Sequence, residues 1–264
     1  MLLRLSFFIM LVFSVHSLTA DEIVLVADEW CPYNCGPKNK NPGFMVEIAK
    51  YAFAKEGHKV IYRTVPWARA IEMVREGRHQ GIIGTGRAET PDFIFPDIEL
   101  GRATHTFYTR RDFPWKYNGL DSLKEIDLGV IDQYSHGNLY KDYIKPNEGS
   151  INIQVIGGED GLTRNIKKLS YGRIDALVED KTAFQYELFS TNTKNDFSDA
   201  GVAYSEDVFI AFSPKIKESK AYAKILDNGM QELRESGKLE QILNKYGVQD
   251  WKIGKETFQG HGSW

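Results

Sequence analysis

The sequence predicts an α/β protein of two similar lobes, each a mixed sheet flanked by helices, joined by two hinge strands. Three observations carry that expectation. Short β-branched runs alternate with amphipathic stretches in both halves, as in β-α-β units with parallel pairing and right-handed crossovers. The turn Gly77-Arg78-His79-Gln80-Gly81-Ile82-Ile83 has a counterpart at Gly172-Arg173-Ile174-Asp175-Ala176-Leu177-Val178. Two extended segments, 104–109 and 202–212, stand where the chain must pass between the halves.

Taken in order, the run 22–27 (Glu-Ile-Val-Leu-Val-Ala) reads as a buried strand, followed by a turn-rich loop to Pro42. Phe44, Ile48 and Tyr51/Ala52 recur at helical spacing, so 43–56 predicts an amphipathic helix stopped at Gly57. A strand at 60–65 follows. Trp67, Ala70/Ile71 and Val74 mark a second helix ending near Gly77, before a short strand at 81–84. The second half repeats the theme: strand 128–131, helix 138–144, strand 151–155, a helix carried by Leu162, Ile166 and Leu169, and strand 174–178. Tyr222, Ile225, Leu226, Met230 and Leu233 form a further helical stripe, with another at Leu239, Ile242 and Leu243; their return path suggests the first lobe. A helix C-cap running into a strand would give the Gly-Arg turns without duplication. The surrounding elements also correspond, which favours two lobes.

The first twenty residues differ from the rest. Arg4 is the only charge, 5–15 is almost wholly apolar, and Ser17-Leu18-Thr19-Ala20 supplies small residues before Asp21. This predicts a secretory signal peptide over 1–20 cleaved after Ala20, since the apolar core is too short to span a bilayer. A periplasmic protein is expected, with lobe one at 21–107 plus 203–250, lobe two at 108–202 and a tail at 251–264. In an oxidising compartment the close pair Cys31 and Cys35 reads as a structural disulfide. Metal binding is not expected, because no His lies near that pair and the other histidines have no ligand spacing. No cofactor is expected either. A formal net charge of −3 argues against nucleic acid as the main partner.

Open parallel sheets bind ligands at the carboxyl ends of their strands. Counted from Gly77 and Gly172, the same offset lands on Thr85 and Asp180, facing each other across a cleft that the two crossing strands would let close. Asp180 before Lys181-Thr182-Ala183 reads equally as a helix N-cap. Ser135 and His136 precede a helix whose first amides suit an anionic group. Tyr108 lies on the proposed hinge.

The order and spacing of several motifs resemble the extracellular solute-binding proteins of family 3, the periplasmic amino-acid receptors of ABC importers, over residues 22–250. The motifs are Gly172-Arg173-Ile174-Asp175-Ala176 with Asp180, Ser236-Gly237-Lys238-Leu239 within 233–247, Gly43-Phe44-Met45-Val46-Glu47-Ile48, and Pro66-Trp67-Ala68-Arg69-Ala70. The resemblance implies a type II periplasmic-binding fold and a small polar, amino-acid-like ligand. It implies that Asp180 holds the ligand's ammonium group and that an aromatic just past the first strand, Trp30 or Tyr33, packs on its side chain. Relatives carry a Thr-x-x-Arg motif after the third strand whose Arg grips the ligand carboxylate. Here the loop runs Gly84-Thr85-Gly86-Arg87-Ala88-Glu89-Thr90-Pro91-Asp92-Phe93, without that Arg. Arg87 or Arg69 is left to take the carboxylate, and a modified amino acid, another polar metabolite or a short peptide stays open. Trp30 beside Cys31 reads equally as loop packing.

No nucleophile elbow or zinc-hydrolase motif is present, so a non-enzymatic role is expected. A dehydratase on this fold would need a protonated acid, for which Glu179 and Glu47 are the candidates. The expected partners are a membrane permease of an ABC importer or, alternatively, a sensor protein, and a monomer is expected.

Overall fold

The computed structural model describes residues 21–132, 134, 136–158, 160–194 and 196–252. The expected leader, Ser135 and residues 253–264 lie outside that set. Eight strands form a sheet of order β2-β1-β3-β8-β4-β7-β5-β6. Each end is a parallel three-strand unit. In the first, β1 (Glu22–Ala27) pairs in parallel with β2 (Lys59–Thr64) and β3 (Gly81–Thr85). In the second, β5 (Leu128–Ile131) pairs in parallel with β6 (Ile153–Ile156) and β7 (Ala176–Asp180). The orders 2-1-3 and 7-5-6 are the same arrangement used twice.

Between them run the long strands β4 (Gly101–Arg110) and β8 (Phe197–Phe212), antiparallel to each other. One part of β8 pairs with β3, and β4 pairs with β7, so these two strands belong to both lobes. Their mutual register slips between His105 and Thr106 and again between Thr106 and Tyr108. Such irregularities bend and twist a strand pair locally.

Helices cover both faces of each unit. In the first lobe α1 (Phe44–Lys55) packs with the C-terminal helices, which do return there. The contact buries Phe44, Met45, Ile48, Phe53 and the sheet residues Ile23 and Leu25 against Leu226, Met230 and Leu233. Full burial of each such side chain is worth about 1.5–3 kcal/mol. Helix α2 (Trp67–Arg75) covers the opposite face through Ala70 and Val74 on Val26 and Ile82. After the exposed Glu22, β1 is therefore apolar from Ile23 to Ala27, because that stretch is covered on both sides. In the second lobe Phe107 and Val130 point to one core, and Tyr108 and Leu177 to the other.

Three element expectations shift. The helix expected at 138–144 is a single α-turn, α3 (Gly137–Leu139), widening into a π-turn over Tyr140–Ile144 and a 3-10 turn over Lys145–Asn147. The wide turn lets both Tyr143 and Ile144 face inward with Leu139, and Pro146 is accommodated in the first turn of the 3-10 segment. The strand expected at 151–155 begins later, because a turn holds Ile153 N–H on Ser150 and leaves Ile151 88% exposed. Helix α4 (Gly161–Ser170) runs into a strand that starts at Ala176 rather than Ile174, which brings Glu179 and Asp180 into β7 itself. Helix α5 (Lys181–Ser190) follows directly, and α6 (Ser219–Glu235) and α7 (Lys238–Asn244) complete the chain's helices among the described residues. Trp251, the first residue of the expected tail, is packed: its indole N–H donates to Glu99 and Arg234 lies over its ring.

Candidate functional site

β1 ends at Ala27, and the chain leaves the sheet through Asp28, Glu29 and Trp30 into a short closed loop. The Cys31–Cys35 disulfide staples it, and Trp30 and Asn34 exchange backbone hydrogen bonds of 2.8 and 3.0 Å. This fixes the Trp30 indole in a column of near-parallel rings. Tyr33 lies 4.0 Å behind it, His105 of β4 6.4 Å in front, and Tyr204 of β8 4.3 Å beyond His105. A loop of the first lobe is thereby laid against both hinge strands.

A cavity opens beside this column, lined by Asp28, Trp30, Asn34, Trp67, Ile83, Gly84, Glu89, His105, Tyr134, Glu206 and Val208. It offers about 50 Å³ to the centre of a water-sized sphere. Tyr134, just past β5, closes it from the second lobe. Gly84 adopts φ +88°, a conformation glycine takes at no steric cost, and brings the backbone close to Trp30. The Trp67 indole N–H donates to Glu89 at 2.8 Å, and the Thr85 hydroxyl reaches the same carboxylate at 3.5 Å. Tyr134 and the carboxyls of Glu89 and Glu206 also bound a larger cavity of about 440 Å³, which runs over the second lobe past His136, Tyr140 and Lys141.

The electrostatics are one-sided. Burial pushes Asp28 up to about 7, helped by the charges of Glu89 and Glu29. Glu206 rises to about 7 through burial and the charges of Glu89 and Asp207. Glu89 is raised by burial, with the Trp67 and Thr85 hydrogen bonds opposing. Behind the cavity, burial raises Glu179 to about 8 and Asp180 to about 6, the latter against four hydrogen bonds that favour its charged form. Desolvation of the charged form is the common cause. The same effect holds His105 down at about 3 and His136 at about 4. Among the described residues lining the inner cavity there is no Lys or Arg.

Of the residues singled out from the sequence, Trp30 lines this cavity, whereas Thr85 is fully buried behind Glu89 with its hydroxyl 3.1 Å from that of Thr90. Tyr33 lies behind Trp30 and donates to the Arg102 carbonyl at 2.9 Å. Asp180 is fully buried: Oδ1 accepts from Ala183 N–H at 2.9 Å and Oδ2 from Thr104 N–H at 2.8 Å. Its N-cap geometry is thus realised, and it also ties α5 to hinge strand β4. Tyr108 is in the second lobe's core, stacked 3.7 Å from Phe184. His136 lines the larger cavity. Ser135 lies outside the described residues. Neither arginine lines the inner cavity. Arg87 donates to the Pro96 carbonyl at 2.6 Å with its guanidinium over Phe95 and Phe209, and Arg69 is exposed on α2. The Phe95 and Phe209 rings give Arg87 a cation–π seat within the first lobe, which turns it from the seam.

Asp28, Asn34, Glu89, His105, Tyr134 and Glu206 are not among the candidates read from the sequence, and Trp67 stands there only as a helix and motif residue. The strand-end rule that picked Thr85 on β3 and Asp180 on β7 would have picked Asp28 had it been applied to β1. Nothing local marks Glu206 or His105, which arrive only through strand pairing.

A model of the bacterial extracellular solute-binding proteins, family 3, matches residues 23–249, nearly the whole described chain. The chain belongs to this family. The probable amino-acid-binding protein YxeM of Bacillus subtilis (strain 168) is 22% identical over 224 residues, covering 83% of this chain and 81% of the relative. Among solved structures, one reported for glutathione import via GshT and the cystine ABC importer TcyBC of Streptococcus mutans superposes with a TM-score of 0.70 at 16% identity, covering 86% of this chain and 95% of that one. A histidine kinase sensor domain with similarity to periplasmic binding proteins gives 0.68 at 18% identity, covering 86% and 96%. At such identities the structures establish the fold, which is that of type II periplasmic binding proteins. Membership of an extracellular solute-binding family places the protein's work outside the cytoplasmic membrane. No helix among the described residues is long and apolar enough to cross a membrane.

Proposed function

We propose that the protein captures a small, polar, amino-acid-like solute in the cavity between its lobes, in the periplasm, for delivery to an ABC importer. The observation that carries this reading is the lining of the cavity. Asp28, Trp30 and Glu89 come from one lobe, His105 and Glu206 from the strands shared by both, and Tyr134 from the other lobe. A solute touching all of these favours the closed arrangement over any open one, because its contacts exist only there. The ligand-facing residues are Trp30, Asp28, Glu89, Glu206 and Tyr134, with Thr85 supporting the Glu89 carboxyl from behind. Asp180 acts behind them, holding α5 and β4 in register, and the lobes meet near 107/108 and 202/203, beside the register slips of β4 on β8.

The family supports uptake, as do the amino-acid-binding relative and the importer-linked structure. Likeness to a kinase sensor domain keeps signalling to a membrane receptor as the second reading. A binding role fits better than a dehydratase. Glu179 lines neither the inner nor the larger cavity, and Glu47 is engaged by Tyr246 and Lys245 on the first lobe.

The test is a thermal-shift screen of amino acids, their decarboxylated amines and related polar metabolites, followed by titration of any hit. A saturable hit whose affinity falls at least tenfold in Trp30→Ala supports the reading. A screen without hits, or a hit indifferent to Trp30, Asp28 and Glu206, removes it.

A further inference from the structure

We propose that the solute is an organic cation rich in N–H donors and lacking a carboxylate at its recognised end, an amine or guanidinium compound. This rests on the solute-binding reading above and narrows its ligand class. Three carboxyls, Asp28, Glu89 and Glu206, converge on the inner cavity, with no Lys or Arg among its described lining residues. Trp30, Trp67 and Tyr134 supply aromatic wall, and the face of such a ring attracts a cation.

Two buried acceptors independently ask for a donor. Asn34 is 1% exposed, and its Nδ2 donates to the Asp28 carbonyl at 2.6 Å, which fixes the orientation of the amide. Its Oδ1, in the cavity wall beside Gly84, has no hydrogen-bond partner. His136 is 4% exposed and lines the larger cavity. Its Nε2 faces the Ile131 carbonyl at 3.2 Å and so must be the N–H that donates, which leaves Nδ1 of the neutral ring as a buried acceptor without a partner. Native structures rarely leave such atoms unsatisfied. Both atoms are sealed within the cavity walls, and a ligand carrying N–H groups at both ends would satisfy them once the Asn34 and His136 side chains turn towards it.

Size agrees. A water needs about 10–15 Å³ on the same measure, so about 50 Å³ takes a compact head and little more. The chain behind that head has room in the larger cavity, where Ile131, Ile144 and Val155 supply apolar wall and Asp132 and Glu148 outnumber Lys141. A carboxylate beside the ammonium would instead be buried against Glu89 and Glu206, a repulsive arrangement that discriminates against ordinary amino acids. The arginine that would offset this, Arg87, is held by Pro96, Phe95 and Phe209.

Matched pairs test this directly. Agmatine against arginine, cadaverine against lysine and putrescine against ornithine are titrated calorimetrically into the protein at pH 8 and low salt. The expected result is that at least one amine binds tenfold or more tightly than its carboxylated parent. Glu206→Gln should weaken that amine at least tenfold while keeping the cooperative melt of the unliganded protein. Equal or tighter binding of the parent amino acid overturns the cation proposal and leaves the solute-binding reading standing. Silence from all six compounds also overturns it; the broader metabolite screen then decides separately whether the protein binds a solute in this cleft.

Discussion

Asp28, Glu89 and Glu206 line one cavity, and burial makes each reluctant to ionise, with the charge of Glu89 adding to the effect on Asp28 and Glu206. A carboxyl whose pKa is higher folded than unfolded stabilises the fold at low pH and loses that contribution as pH rises through the folded value. For Asp28, Glu206 and Glu179 the loss begins near the ordinary carboxyl range, about pH 4, and is complete by about pH 8. His105 and His136 act in the opposite direction. Their depressed values add stability as pH rises towards the ordinary histidine range, an effect complete near pH 6.5. Between pH 6.5 and 8 the acids act alone, so the melting temperature of the unliganded protein should fall across that window. The combined Asp28→Asn and Glu206→Gln variant should flatten the fall, and a melt series in buffers from pH 6.5 to 8 checks it. A cationic ligand should bind more tightly at pH 8 than at pH 6, because it needs these carboxyls ionised. Calorimetric titration at the two pH values reads that difference directly. Little of this was legible in advance. The sequence shows a loop of fifteen residues, 29–43, between Asp28 and the next helix, but not that Glu89 and Glu206 line the same cavity as Asp28.

At the scale of elements, Asp180 shows how a cap becomes a tether. Its first oxygen satisfies an orphan amide at the start of α5 and its second an amide of β4. Asp180→Ala removes the cap, about 0.5–2 kcal/mol, and leaves the Thr104 N–H buried without an acceptor, about 1–3 kcal/mol. A loss of about 2–4 kcal/mol is therefore expected in urea unfolding, and Asp180→Asn should cost less because its amide oxygen can still cap α5. The disulfide belongs to the same scale. Closing a five-residue loop removes about 2 kcal/mol of unfolded-chain freedom, so joint replacement of Cys31 and Cys35 by Ser should lower stability by about that much. Ligand affinity should fall with it, since Trp30 and Asn34 sit inside the loop, and titration of the same variant measures that. Packing of α6 on α1 depends on Gly229, where an added Cβ would lie 2.3 Å from the Ala52 Cβ and 3.0 Å from its Cα. Gly229→Ala should cost about 1–3 kcal/mol by overpacking, again read from urea unfolding. Strands and helices were largely visible in the sequence because burial on one face or two writes a period into it. The segment 137–147 was not, because its mixed α, π and 3-10 turns answer to the core beneath Leu139 rather than to a local period.

For the whole molecule, the strands β4 and β8 are at once the middle of the sheet and the link between lobes. A ligand that binds only across that link stabilises the folded state by mass action. At a hundred times its Kd it should contribute about 2.7 kcal/mol, and for a chain of this size each kcal/mol moves the melting temperature by about 2–4 °C. A rise of about 5–11 °C is thus expected for the true solute at that ratio, in scanning calorimetry, whereas a ligand held by one lobe alone should not require Tyr134. Replacement of Tyr134 by Ala should then reduce the rise.

By itself the sequence determined the repeated β-α-β pattern, the return of the C-terminal helices to the first lobe, the stapled loop and the family, because each depends on residues close together in the chain or on recurring spacing. Only the tertiary structure decided which charges share the seam. Arg87 is three residues from Gly84 yet turns away onto Phe95 and Phe209, while Asp28 and Glu206, 178 positions apart, meet through the pairing of β3 with β8. Charge in a cleft is a property of which strand ends adjoin, and strand order carries no local signature in the chain.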